Sequence, residues 1–170
     1  LGKKHAAMFF AFLAGILVPL PVALRLVGLM PANDSTALLP TLIAFNVVAI
    51  AQVIAASTLV SSMMADIVDE SELETGRRSE GIFFAARSFI SKSLSGLGIV
   101  FATILLEIVS FPTSADPVNL DTDIVWRLGA GYVPTVLGFF VFAMIGINGY
   151  RLTREQHEAN LALLTEREAN

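Results

Sequence analysis

Four long apolar stretches are separated by polar or charged breaks. Residues 6–30 carry one charge, Arg25, and residues 38–65 carry none. Residues 81–111 hold Arg87, Lys92 and Glu107, and residues 127–150 hold only Arg127 at their start. Each stretch reaches the roughly 20 residues that a helix needs to cross a bilayer. The pattern predicts four transmembrane helices over 6–30, 38–65, 81–111 and 127–150. Between the second and third lies a charged loop, 66–80, and after the fourth a charged tail, 151–170, that reads as a short surface helix.

Details inside the stretches fit this reading. Pro19 and Pro21 each remove a backbone donor and predict a kink, a fault membrane helices tolerate when neighbours satisfy the freed carbonyls. Arg25 is close enough to the end of its span to reach the interface. The run Met30 to Thr36 is turn chemistry. Asn46 and Gln52 read as interhelical hydrogen-bonding residues, and Ser57, Thr58, Ser61 and Ser62 as small residues that let helices approach. Phe111 to Asp123 is a loop with three aspartates and no base. Trp126 and Tyr150 are placed as interfacial anchors.

Composition agrees: 55% of residues are apolar and 15% charged, against roughly 25% charged in soluble domains, and mean hydropathy is +0.71. There is no cysteine, which excludes disulfides and thiolate metal sites. No basic patch interleaved with aromatics suits nucleic acid, so no nucleic-acid partner is expected; membrane lipid is. No Ser–His–Asp set, phosphate-binding loop or dinucleotide fingerprint occurs, and no enzyme or cofactor is indicated. His5 and His157 stand at opposite ends of the chain without companion ligands, so no metal site is predicted. The chain begins at Leu1 and reads as an integral membrane piece of something longer.

Charge sets the expected orientation. Lys3 and Lys4, Arg77 and Arg78, and Arg151 and Arg154 fall on one side of the four-span pattern, while the loops around Asn33 and Asp116 contain no lysine or arginine. The positive-inside rule puts the two ends and the central bend in the cytoplasm.

Two groups of charges invite a functional reading. Asp66 and Asp69 close the second span, where the helix dipole disfavours acids, and Arg77 and Arg78 precede the third, where it disfavours bases. One resolution is an ion-pair cluster, Arg78 with Asp66, Asp69 or Glu72, that holds helix ends together in one conformer and releases them in another. The other is a solvated loop whose charges only set topology. Glu80 sits favourably at a helix start.

Lys92 is the second case. It lies about eleven residues, roughly 16 Å, into its span. A charge at that depth costs about 2.5–3.5 kcal/mol even on a lenient scale, and no span offers an acid at the same depth. A polar cavity, or a partner from outside this chain, is expected. Ser88 and Ser95 share its face at helical spacing. Arg87 is shallower and within reach of the interface. Glu107 reads as an interface residue.

The run from Met63 to Phe84, M-M-A-D-I-V-D-E-S-E-L-E-T-G-R-R-S-E-G-I-F-F, resembles the bend between the tenth and eleventh helices of the glycoside–pentoside–hexuronide:cation symporters, the melibiose-permease-like branch of the major facilitator superfamily. The family's A-D-x-x-D-Y-x-E-x-x-T-G-x-R-x-E-G is matched at Ala65, Asp66, Asp69, Glu72, Thr75, Gly76, Arg78, Glu80 and Gly81. Glu70 replaces the usual tyrosine. The resemblance implies an all-α integral membrane fold whose four helices equal the last four of twelve, with eight more helices as partners. It implies symport of a sugar, glycoside or uronide with sodium or protons as coupling ion, by alternating access, in the bacterial inner membrane. It also implies a cytoplasmic ionic lock of Asp66, Asp69, Glu72, Arg78 and Glu80. Lys92, Arg87 and Ser88 then belong to the substrate and cation site, where Arg87 suits an anionic solute such as a uronide.

A stand-alone membrane scaffold or adaptor, or a non-functional transporter fragment, is the alternative. An upstream reading frame encoding eight further helices separates the symporter from both.

Overall fold

The computed structural model describes residues 2–77, 79–112 and 121–169. Six helices follow one another: α1 Lys3–Leu17, α2 Leu20–Leu26, α3 Leu38–Thr75, α4 Glu80–Ile108, α5 Thr122–Asn148 and α6 Arg154–Ala169. Four spans are long and apolar enough to cross a membrane: Lys3–Leu26, which joins α1 and α2, then α3, α4 and α5.

The first span breaks where its prolines fall. Val18 N–H still reaches Ala14 O, and the ladder resumes at Ala23 N–H to Pro19 O. Neither Pro19 nor Pro21 has an N–H to donate between them. The span stops at Leu26, earlier than residue 30, because Gly28 at φ 74 turns the chain and its successor Leu29 donates back to Leu24 O. Arg25 then closes the turn, donating to Pro31 O at 2.8 Å and to Asn33 Oδ1. Its side chain braces a loop.

The expected charged loop over 66–80 is corrected. α3 runs on to Thr75, so Asp66, Asp69, Glu72 and Glu74 are helical and, among the described residues of that stretch, only Gly76, Arg77 and Ser79 lie outside a helix. Nothing between Asp66 and Thr75 breaks a helix. Gly76 does: at φ 67 it adopts the left-handed conformation cheapest for glycine, and its N–H caps Glu72 O. At 38 residues the helix is about 57 Å long, nearly twice a bilayer's hydrocarbon thickness of about 30 Å. Its last turns therefore form a stalk beyond the apolar layer. α5 likewise starts at Thr122, five residues before the expected 127, because Asp121 accepts from Asp123 N–H as an N-cap.

α1 packs antiparallel against α3 and α5, α2 packs against α5, and α6 lies along the end of α3. The contact is made by small side chains. Ala7, Ala11, Ala14 and Gly15 are the buried residues of α1, a stripe at helical spacing. A Cβ on Gly15 would stand 3.0 Å from Phe140 Cβ, and one on Gly129 would stand 3.0 Å from Leu26 Cδ2. In lipid, where apolar burial gives no net drive, such close backbone approach supplies the van der Waals contact that holds helices together. α4 is different. It touches α3 and α5 only lightly, and none of its residues is buried.

Neither Asn46 nor Gln52 forms an interhelical hydrogen bond among the described residues, and Gln52 Oε1 is buried without a partner. Their reading as interhelical glue is not what this packing displays.

Candidate functional site

The stalk of α3 carries the one buried acid among the described residues, Asp66, at 4% exposure. A carboxylate there is stable only with paired charge and hydrogen bonds. Lys3, the first residue of α1, supplies the charge: its Nζ donates to Oδ1 at 2.7 Å and Oδ2 at 2.9 Å. Tyr150, just beyond α5, donates its hydroxyl to Oδ2 at 3.1 Å. His157 in the first turn of α6 places Nε2 3.4 Å from Oδ1. One carboxylate thus joins α3 to three segments that are up to 91 positions from it in sequence.

Lys4 completes the joint. Its Nζ donates to Asn148 O, the last carbonyl of α5, at 2.7 Å and to Tyr150 O just beyond it at 3.0 Å, at the negative end of the helix dipole. The adjacent lysines diverge, one to α3 and one to α5. Burial, with the Asp66 carboxylate beside it and Glu70 near, holds the Tyr150 phenol far above its ordinary 10.0, so it stays a neutral donor. His157 Nδ1 is buried without a hydrogen-bond partner among the described residues. The tautomer with its proton on Nε2, facing the carboxylate, fits that arrangement. A cleft of about 920 Å³ opens beside this cluster, between the start of α1 and the segment Tyr150 to Leu161.

The remaining members of the expected ion-pair cluster are placed as follows. Asp69 is half-buried on α3 and has no ion pair among the described residues. Glu72 lends its carbonyl to the Gly76 cap. Glu80 occupies the first turn of α4, where a negative charge meets the positive end of the dipole. Arg78 lies outside the described residues. The partner found for Asp66 is therefore Lys3, supported by Tyr150 and His157.

Residues Lys92, Arg87 and Ser88 are together on α4. Lys92 and Ser88 are exposed and Arg87 is half-exposed. No ion pair or hydrogen bond from the Lys92 or Arg87 side chain forms among the described residues. Ser95 bonds back to Ser91 O at 3.0 Å, which satisfies its hydroxyl within the helix. No three His, Cys, Asp or Glu side chains gather as a metal-ligand group among the described residues.

Lys3, Lys4, Tyr150 and His157 escaped the sequence reading as site residues. Lys3 and Lys4 were visible only as topology signals and Tyr150 as an anchor. The one available clue was Asp66 itself, an acid at the end of an apolar run that needs a nearby cation.

These features define an all-α, polytopic membrane protein whose helix ends are tied by charge on one side. A family model described as MFS/sugar transport protein matches residues 1–154; the chain belongs to that family, one of transporters rather than enzymes. It is also 30% identical over 113 residues, 64% of its length, to a protein of Synechocystis sp. described as an uncharacterized symporter. The aligned part is 21% of that relative, so the chain spans about a fifth of the relative's length. No solved structure matches it.

Proposed function

We propose that this chain is the C-terminal part of a cation-coupled symporter for a sugar, glycoside or uronide, working by alternating access with the eight helices that complete a twelve-helix fold. Sodium or protons drive it. Membership of the sugar-transport family and likeness to a symporter support the class. The basic residues at the Asp66 end support a cytoplasmic placing by the positive-inside rule, in a bacterial inner membrane.

The observation that carries the mechanism is Lys92, a cation near the middle of an apolar 29-residue helix without a counter-charge among the described residues. At mid-bilayer depth it needs a polar cavity. α4 forms one wall of that cavity, with Lys92, Arg87 and Ser88 facing cation and solute. Asp66, Asp69, Glu72, Arg78 and Glu80 form the cytoplasmic lock, with Lys3 as the strongest clasp on Asp66. When that clasp holds, the inner end is closed; when it opens, the cavity faces the cytoplasm.

The test is uptake by the full-length protein in vesicles, with a panel of sugars and uronides under sodium and proton gradients. Accumulation of at least one solute under one gradient is expected, with loss of at least tenfold in Lys92→Ala. No accumulation of any solute under either gradient sinks the symport reading. Undiminished accumulation in Lys92→Ala sinks the site assignment alone.

A further inference from the structure

The tail helix α6 is attached to the bundle in an unusual way. None of residues 155–166 is buried. His157, Asn160 and Leu164, the half-buried ones, form a stripe at helical spacing, while Leu161 and Leu163 stay 43% and 52% exposed. A helix held by dry packing would bury its leucines. Here a histidine, an asparagine and one leucine face inward, and the cleft of about 920 Å³ separates the start of α6 from the start of α1. Two polar ties converge on one group. Tyr150 and His157 bracket the link into α6, and both reach Asp66.

The oxygens of Asp66 are shared. Lys3 and His157 meet Oδ1, and Lys3 and Tyr150 meet Oδ2. The contact that joins α1 to α3 and the contact that docks α6 are thus one junction. Separation of Lys3 from Asp66 leaves a buried carboxylate without its cation. Water must then enter, and water at Asp66 replaces the donors of Tyr150 and His157. Elements with few buried apolar contacts are the first to open locally, and α6 is such an element.

We infer that α6 is a releasable strap, docked on the Asp66 junction while the Lys3–Asp66 clasp is closed and freed when that clasp opens. The strap adds stability to the closed inner end without entering the transport cavity. This rests on the lock reading above, but its readout does not depend on transport.

The test is hydrogen exchange on the full-length protein in lipid nanodiscs. Asp66→Asn and Lys3→Ala are each expected to speed exchange across α6 at least tenfold while α5 amides change less than threefold. His157→Ala gives the same pattern, and His157→Gln, which keeps a donor near the position of Nε2, stays within threefold of wild type. Unchanged α6 exchange in Asp66→Asn or His157→Ala overturns the strap. So does an equal rise in His157→Gln and His157→Ala, which marks general loosening. If a variant unfolds outright, α5 exchange rises as well; the decisive reading then comes from spin labels at Glu74→Cys and Leu163→Cys in the Tyr150→Phe background. A broadened, longer distance supports release, and an unchanged one overturns it. Loss of uptake in variants whose α6 exchange is unchanged leaves the transport reading standing and removes the strap alone.

Discussion

The Asp66 junction and the middle of α4 both hold charge on apolar helices, and they treat it in opposite ways. At the junction a carboxylate is buried, given a cation, a hydroxyl and an imidazole, and seated where α1 and α3 close together on small residues. On α4, Lys92 has no partner among the described residues, and no residue of the helix is buried. The first charge is satisfied within this chain and serves its cohesion. The second is unsatisfied within it and fits a surface whose partners are solute, ion and other helices. A satisfied charge organises structure, and an unsatisfied one is held ready for function.

That contrast is most easily broken by removing each lysine. Lys3→Ala strands the Asp66 carboxylate in its buried site and should cost about 3 kcal/mol, the low end for an unpaired buried charge. Lys92→Ala removes a charge that has no counter-charge among the described residues and should leave stability unchanged or raise it, because an unpaired charge at that depth is itself a cost. Thermal unfolding of the two full-length variants side by side checks this; equal losses would erase the distinction between the regions.

The helices carrying the charges should respond as differently to an added methyl. Gly15→Ala places its Cβ 3.0 Å from Phe140 Cβ, an atom next to backbone that cannot swing away, and should cost about 1–2 kcal/mol from overpacking. Gly98→Ala meets nothing within 4 Å and should gain up to about 1 kcal/mol from helix propensity. Opposite signs in a thermal-shift comparison uphold the view of α1 as packed and α4 as open.

The smallest expected effect sharpens the junction itself. Tyr150→Phe removes one donor from a buried carboxylate and should cost about 1 kcal/mol at neutral pH. The phenol's pKa is raised in the folded state above its ordinary 10.0, so the folded state keeps the proton where the unfolded chain loses it. The stability tied to the neutral phenol is complete below about pH 10 and is lost as the pH rises above it. Unfolding followed from pH 8 to 11 should therefore lose its alkaline slope in part in Tyr150→Phe; an identical slope in both proteins would separate Tyr150 from Asp66.

Much of this architecture is legible in the residues. Apolar runs of bilayer length mark the four spans, Pro19 and Pro21 mark the break between α1 and α2, and Gly76 lies where α3 ends. Most of the loop expected over 66–80 is instead the end of α3, which continues to Thr75. Charge ends a membrane span, where the solvent changes; it does not end a helix, and the apolar layer stops short of Thr75 while the hydrogen-bond ladder goes on. The site was legible in halves. Asp66 and Lys92 stand out because charge beside long apolar runs is costly wherever it falls. Their surroundings do not stand out.

What the sequence determines by itself is where lipid can surround this chain and where a charge must find a remedy, because both depend on local composition and the cost of leaving water. Which remedy each charge finds is decided by tertiary structure. Asp66 lies 63 positions from Lys3, 84 from Tyr150 and 91 from His157, and no periodicity links them. They meet because small residues let α1 pack closely against α3 and α5, bringing the start of one helix to the stalk of another. Lys92 finds no such neighbour among the described residues, because α4 has few contacts with the helices that pack.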